Sequence, residues 1–170
     1  FVSETKVGIL QRTQERSHLE LDAVTIAESL KTGGYQTGFL GKWHLTNNDE
    51  THLPTDQGFD VNIAGGWKGH PQNGFFSPYK LAHLKDGPQG EYLTDRITTE
   101  AISVLEQFSK NDTPWFVYMS YYTVHAPFHS KPEKTKKYVA KKARNPKYGG
   151  MMESMDENIG RMLSWLDQKG

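Results

Sequence analysis

Gly33-Gly34-Tyr35-Gln36-Thr37-Gly38-Phe39-Leu40-Gly41-Lys42-Trp43-His44-Leu45 decides how this chain is read. Before it lies a helical pattern with Asp22 as the expected N-cap and Ile26, Ala27 and Leu30 as its apolar side, running to about Thr32. Gly33-Gly34 is the expected stop, and Tyr35 to Leu40 the expected strand. Side chains on an extended segment alternate faces, so Lys42 and His44 are expected on one side and Trp43, packing beneath them, on the other. An ammonium beside a titratable ring suits an anionic, tetrahedral substrate: the cation holds charge and the ring moves a proton. Lys-x-His alone is common; the pentapeptide Gly41 to Leu45 behind a helix–Gly-Gly–strand unit is far more specific.

Outward from that stretch, Asn47 to about Gly90 is rich in Gly, Pro, Asn and aromatics, as in Gly65-Gly66-Trp67 and Gly74-Phe75-Phe76-Ser77-Pro78-Tyr79. So long a loop-rich excursion is usually functional or disordered, and its aromatics favour order, hence the wall of a binding cleft. Glu91 to Phe108 is helical, with Leu93, Ile97, Ala101, Val104, Leu105 and Phe108 in one stripe. Trp115 to Met119 is a continuous apolar run, expected as a strand covered on both faces of a parallel sheet. Lys131 to Lys147 holds eight Lys or Arg against one acid and reads as a solvated face. A last helix runs to the C-terminus with Met152, Met155, Ile159, Met162 and Leu166 as its core stripe. Residues 1–20 are polar without clear period, a surface connection. The order of elements indicates an α/β fold with helices packed on a mostly parallel sheet.

Composition bounds the function. Twenty basic and twenty acidic residues balance, so nothing pulls the chain toward nucleic acid. Hydrophobic residues make up 35%, low for a self-contained core, and mean hydropathy is −0.71, which suits a slice of a larger domain. No cysteine is present, so no disulfide, thiolate metal site or thiol nucleophile arises in this stretch. No apolar run approaches the roughly 20 residues needed to span a membrane.

The second candidate segment is Val124-His125-Ala126-Pro127, just past the Trp115 strand. Ligand crevices of open α/β sheets lie at strand carboxyl ends, so His125 is expected to converge with Lys42 and His44. Tyr118 to Pro127, Gly41 to Leu45, Gly58-Phe59-Asp60, Phe76-Ser77-Pro78-Tyr79, Tyr92-Leu93-Thr94-Asp95-Arg96 and Glu153 to Arg161 together resemble the arylsulfatase-A-like sulfatases. The resemblance is collinear from about Leu21 to the C-terminus. It implies an alkaline-phosphatase-like fold and hydrolysis of an aryl or carbohydrate sulfate monoester. It further implies a formylglycine nucleophile and a divalent cation, usually Ca2+, polarising the sulfate oxygens. By position, Lys42 would bridge sulfate and nucleophile. His44 would hold the hydrate and later act as base. His125 would bind sulfate and help protonate the leaving oxygen. A periplasmic, secreted or lysosomal setting is implied too.

The departures are equally informative. Cys (or Ser)-x-Pro-x-Arg, paired aspartates and the later Asp-Asn-Gly or Asp-His-Gly are all absent. Ser130-Lys131-Pro132-Glu133-Lys134 lies downstream and ends in Lys, a decoy. The expectation is an internal fragment of a sulfatase domain, inactive alone, with nucleophile and metal ligands outside it. The alternatives are a phosphate mono- or diesterase of the same superfamily, or a dead remnant that binds sulfated ligands. His18, His52, His70 and His83 are expected in loops without partners. His125 and His129 have zinc-like spacing, but Pro127 between them argues against one helix carrying both.

Overall fold

The computed structural model describes residues 16–169, and three parallel strands organise them. β1 (Gln36–Gly41) lies between β2 (Val61–Ile63) and β3 (Trp115–Ser120). Gly38 is opposite Val61 on one side and Val117 on the other, and Gly41 is opposite Ser120. Helices α1 (Ile26–Thr32) and α2 (Leu93–Phe108) cover opposite faces of β1. Phe39 therefore packs with Ala27 and Phe59, while its neighbour Leu40 joins Ile97, Ala101 and Val104 of α2. That is the strand period of two meeting two helices. The α2 stripe read from the sequence is buried in full.

Four expectations change. The N-cap of α1 is Thr25, not Asp22. Thr25 Oγ1 accepts from the Glu28 N–H at 3.2 Å, and the Glu28 carboxylate accepts from the Thr25 N–H at 2.7 Å. This reciprocal box satisfies two orphan donors at once, which Asp22, in the preceding turn, does not. β3 is half-exposed rather than covered on both faces, with Tyr118 at 47%. It pairs only with β1 among the described residues, and Tyr118 meets Phe39 in a stack while its outer side stays open. The 47–90 excursion holds β2 and a 3-10 turn at Pro54–Gln57. Its Phe59, Phe75 and Tyr79 are buried and add to the core, while its Trp67 stays exposed. Of the first twenty residues, 1–15 lie outside the described region. Leu19 and Glu20 are tied down, their carbonyls accepting from Gln57 Nε2.

The fourth change concerns the C-terminal half. α3 (Pro132–Ala140) packs along α4 (Pro146–Lys169), and the buried stripe of α4 is Gly150, Met151, Ser154, Asn158 and Trp165. Met152, Ile159 and Leu166 are exposed instead. The helix is turned by about one residue because its polar members find partners inside. Asn158 Nδ2 donates to Asp95 Oδ1 at 2.7 Å, and Ser154 Oγ to Gly150 O at 2.9 Å. The basic run is likewise not purely a solvated face. Lys134 is buried and pairs with Glu153 and Glu157, Lys137 also reaches Glu153, and Lys131 meets Asp95 at 2.6 Å.

Glu153 ties α3 to α4, which gives a pH signature. The Lys137 hydrogen bond first, with Lys134 behind it, holds its carboxyl at about 2 against an ordinary 4.5, although burial pushes the other way. Between those values the unfolded chain binds a proton that the folded chain does not, so acidification favours unfolding there. The stability from Glu153 is present above pH 4.5 and is lost as pH falls toward 2. Thermal melts across that window should show a shallower acid decline for Glu153→Gln than for the parent. Parallel declines would remove Glu153 as the cause.

Candidate active site at the carboxyl end of the sheet

β1 and β3 run parallel, so their carboxyl ends open on one side. The two candidate segments leave from there: Lys42-Trp43-His44 after β1, and Tyr121 to His125 after β3. The ladder continues past the strand ends. The Lys42 N–H donates to Ser120 O at 2.6 Å, and the Ser120 hydroxyl donates back to Lys42 O at 2.8 Å. Gly41 permits that approach, since its φ is +109° and a Cβ there would lie 1.8 Å from Ser120 O.

The backbone does not stay extended, so the expected alternation fails. After Gly41 the chain leaves strand geometry, and His44 itself has φ 58°. Lys42 and Trp43 both line a groove of about 280 Å³ with Phe39, Tyr118 and Ser120. His44 lines a second one, of about 310 Å³, with Thr46, Asn47 and Trp67. Trp43 packs edge-on against Phe39 and Phe59 and donates from Nε1 to His52 O at 2.9 Å.

The charges meet nonetheless. Burial first, then the Lys42 charge, with His125 and His70 adding to it, hold the His44 imidazole below its ordinary 6.5. At neutral pH that ring is a base. Burial also lowers Lys42 from 10.5, and no carboxylate pairs with its ammonium among the described residues. A half-buried cation without an acid is poised for an external anion. His125 is exposed, and its Nδ1 donates to Ala126 O, which leaves Nε2 available to other partners.

A third segment completes the mouth. The His44 N–H donates to Gly66 O at 3.0 Å, and the Tyr122 hydroxyl donates to Ala64 O at 2.8 Å. The Gly69 backbone lies against the His44 ring, where a Cβ would come within 2.5 Å of Cε1. Next to it the His70 ring stacks on His125, centroids 5.5 Å apart and planes 6° from parallel.

A family model for sulfatases matches residues 2–170. This chain belongs to the sulfatase family. It is 26% identical to a sulfatase of Formosa agariphila over 90% of this chain and 36% of that protein. It is 27% identical to the N-acetylgalactosamine-6-sulfatase of Mus musculus over 85% of this chain and 30% of that protein. The crystal structure of Ps i-CgsB in complex with k-i-k-neocarrahexaose matches with a TM-score of 0.72 at 25% identity, over 92% of this chain and 39% of that one. The sulfatase chain thus spans about a third of the length of these relatives. Its fold is the alkaline-phosphatase-like α/β fold of those structures, in part.

In this sulfatase chain, several histidines expected to be alone have partners. The His18 ring lies 4.0 Å from that of His52, tilted by 31°, and approaches Glu20 at 3.3 Å, and His83 approaches Glu50 at 3.4 Å. His70 is the one that sequence reasoning missed at the site. Its only signal is the Gly69-His70-Pro71 order, a bare glycine before a restricted residue. No group of three or more His, Cys, Asp or Glu gathers to hold a metal ion among the described residues. The residues present therefore do not fit the divalent cation, and without cysteine they do not supply the formylglycine precursor of Cys-type sulfatases.

Proposed function

We propose that the protein carrying this chain hydrolyses sulfate monoesters, with carbohydrate sulfates as the substrate class. The observation that carries this reading is the half-buried Lys42, with no carboxylate on its ammonium among the described residues, whose charge bears on the His44 ring at the carboxyl end of a parallel sheet. The family match and the carbohydrate-directed relatives, among them an ulvan-active sulfatase of Formosa agariphila, point the same way. The nucleophile and the cation belong to segments outside the described residues, and the chemistry below is that of this chain alone.

Lys42 receives the sulfuryl oxygens and stabilises charge that grows on them as the ester bond breaks. Protonated at Nε2, His125 hands that proton to the leaving alcohol oxygen, the help a poor leaving group such as a sugar hydroxyl needs. His44, neutral at pH 7, accepts a proton in the return half of the cycle. No described helix is long and apolar enough to cross a membrane.

Sulfate release by the full-length protein tests this, using sulfated oligosaccharides, 4-nitrophenyl sulfate and 4-nitrophenyl phosphate in parallel. Turnover of the sulfates with phosphate hydrolysed far more slowly is the expected result. Preferred phosphate turnover would move the protein to the phosphoesterases, and binding without turnover would make it a lectin-like remnant.

A further inference from the structure

We propose that His70 is a positioning residue, its ring stacked on His125 so that the His125 imidazole meets the leaving oxygen in one fixed plane. This rests on the sulfate-ester reading above, in which His125 serves the leaving group. His125, Ala126 and Pro127 are all exposed, so no core holds the His125 ring. The bond from Nδ1 to the carbonyl of its own neighbour is the ring's one hydrogen bond among the described residues, a single tether about which a ring swings. The second constraint is the parallel His70 face at 5.5 Å.

The His70 ring is exposed too, but the backbone leading to it is anchored. Gly69 is wedged against the His44 ring, the His44 N–H holds Gly66 O, and Tyr122, 3% exposed, holds Ala64 O. Pro71 restricts the His70 backbone further. One dipeptide, Gly69-His70, therefore touches both histidines of the site, although they are 81 residues apart in sequence. Misplacing a proton donor by about 1 Å costs on the order of a hundredfold, so holding the ring has catalytic consequences.

The test uses the full-length protein and reads the dependence on leaving group. With an alkyl or sugar sulfate, His70→Ala should lower kcat roughly ten- to a hundredfold. With 4-nitrophenyl sulfate, whose leaving anion needs little proton help, the loss should stay below about threefold. His70→Phe, which keeps a flat ring, should restore most of the rate. In a His125→Ala background, His70→Ala should cost nothing more. Equal losses on both substrates, additivity with His125→Ala, or no rescue by phenylalanine each overturns the proposal. An intact rate in His125→Ala alone would instead sink the leaving-group role of His125. NMR of the His125 Cε1–H then decides the stack without any turnover. His70→Ala should return that resonance toward its free-histidine position and His70→Phe should not; an unmoved resonance in His70→Ala rules the stack out.

Discussion

Lys42→Ala in the full-length protein should depress kcat on sulfate esters by about 10²–10³-fold, the loss seen when one preorganised charge-stabilising group is removed. The ammonium is half-buried, its proton affinity is lowered by that burial, and no carboxylate neutralises it among the described residues. Its charge is therefore available to an anion, and strongest where charge accumulates on the sulfuryl oxygens. KM should change less than kcat, because the interaction strengthens in the transition state. Lys42→Arg tests geometry against charge. A guanidinium keeps the charge but is larger and planar, so it should recover only part of the rate. A near-normal kcat in Lys42→Ala, with the fold intact by circular dichroism, would falsify the assignment.

Gly41→Ala should destabilise the fold by roughly 3–5 kcal/mol, the range reserved for a named backbone or packing fault. Two faults coincide there. The φ of +109° is one that residues with a Cβ rarely adopt, and the Cβ would sit 1.8 Å from Ser120 O. That carbonyl is backbone in the paired strand, where it accepts the Lys42 N–H, so relief has to separate β1 from β3. Gly160→Ala is the matched control. No atom lies within 4 Å of a Cβ there, and alanine in an exposed helix should gain about 0.5–1 kcal/mol. Denaturant unfolding reads both changes. A Gly41→Ala loss below about 1 kcal/mol would mean that the strand ends shift freely.

Local periodicity carried the regular elements. The α2 stripe from Leu93 to Phe108 is legible because each member lands on one helical face and that face meets the sheet. β1 is legible because Gly33-Gly34 ends a helix just before a short apolar run. The buried stripe of α4 is not, because Ser154 and Asn158 are polar, and only their bonds to Gly150 O and Asp95 make burying them tolerable. β2, three residues long, has no room to show a period.

The sequence by itself determined the α/β class and the family, and it singled out Lys42, His44 and His125 as candidates, since residue order and spacing along the chain encode these. Only the tertiary structure decided that Lys42 and His44 line separate grooves, and that Gly69-His70 bridges His44 and His125. The physical reason is that a positive φ at Gly41 and His44 redirects side chains away from the strand period. Contacts between residues 44, 70 and 125 arise from the parallel crossovers that bring distant segments to one end of the sheet.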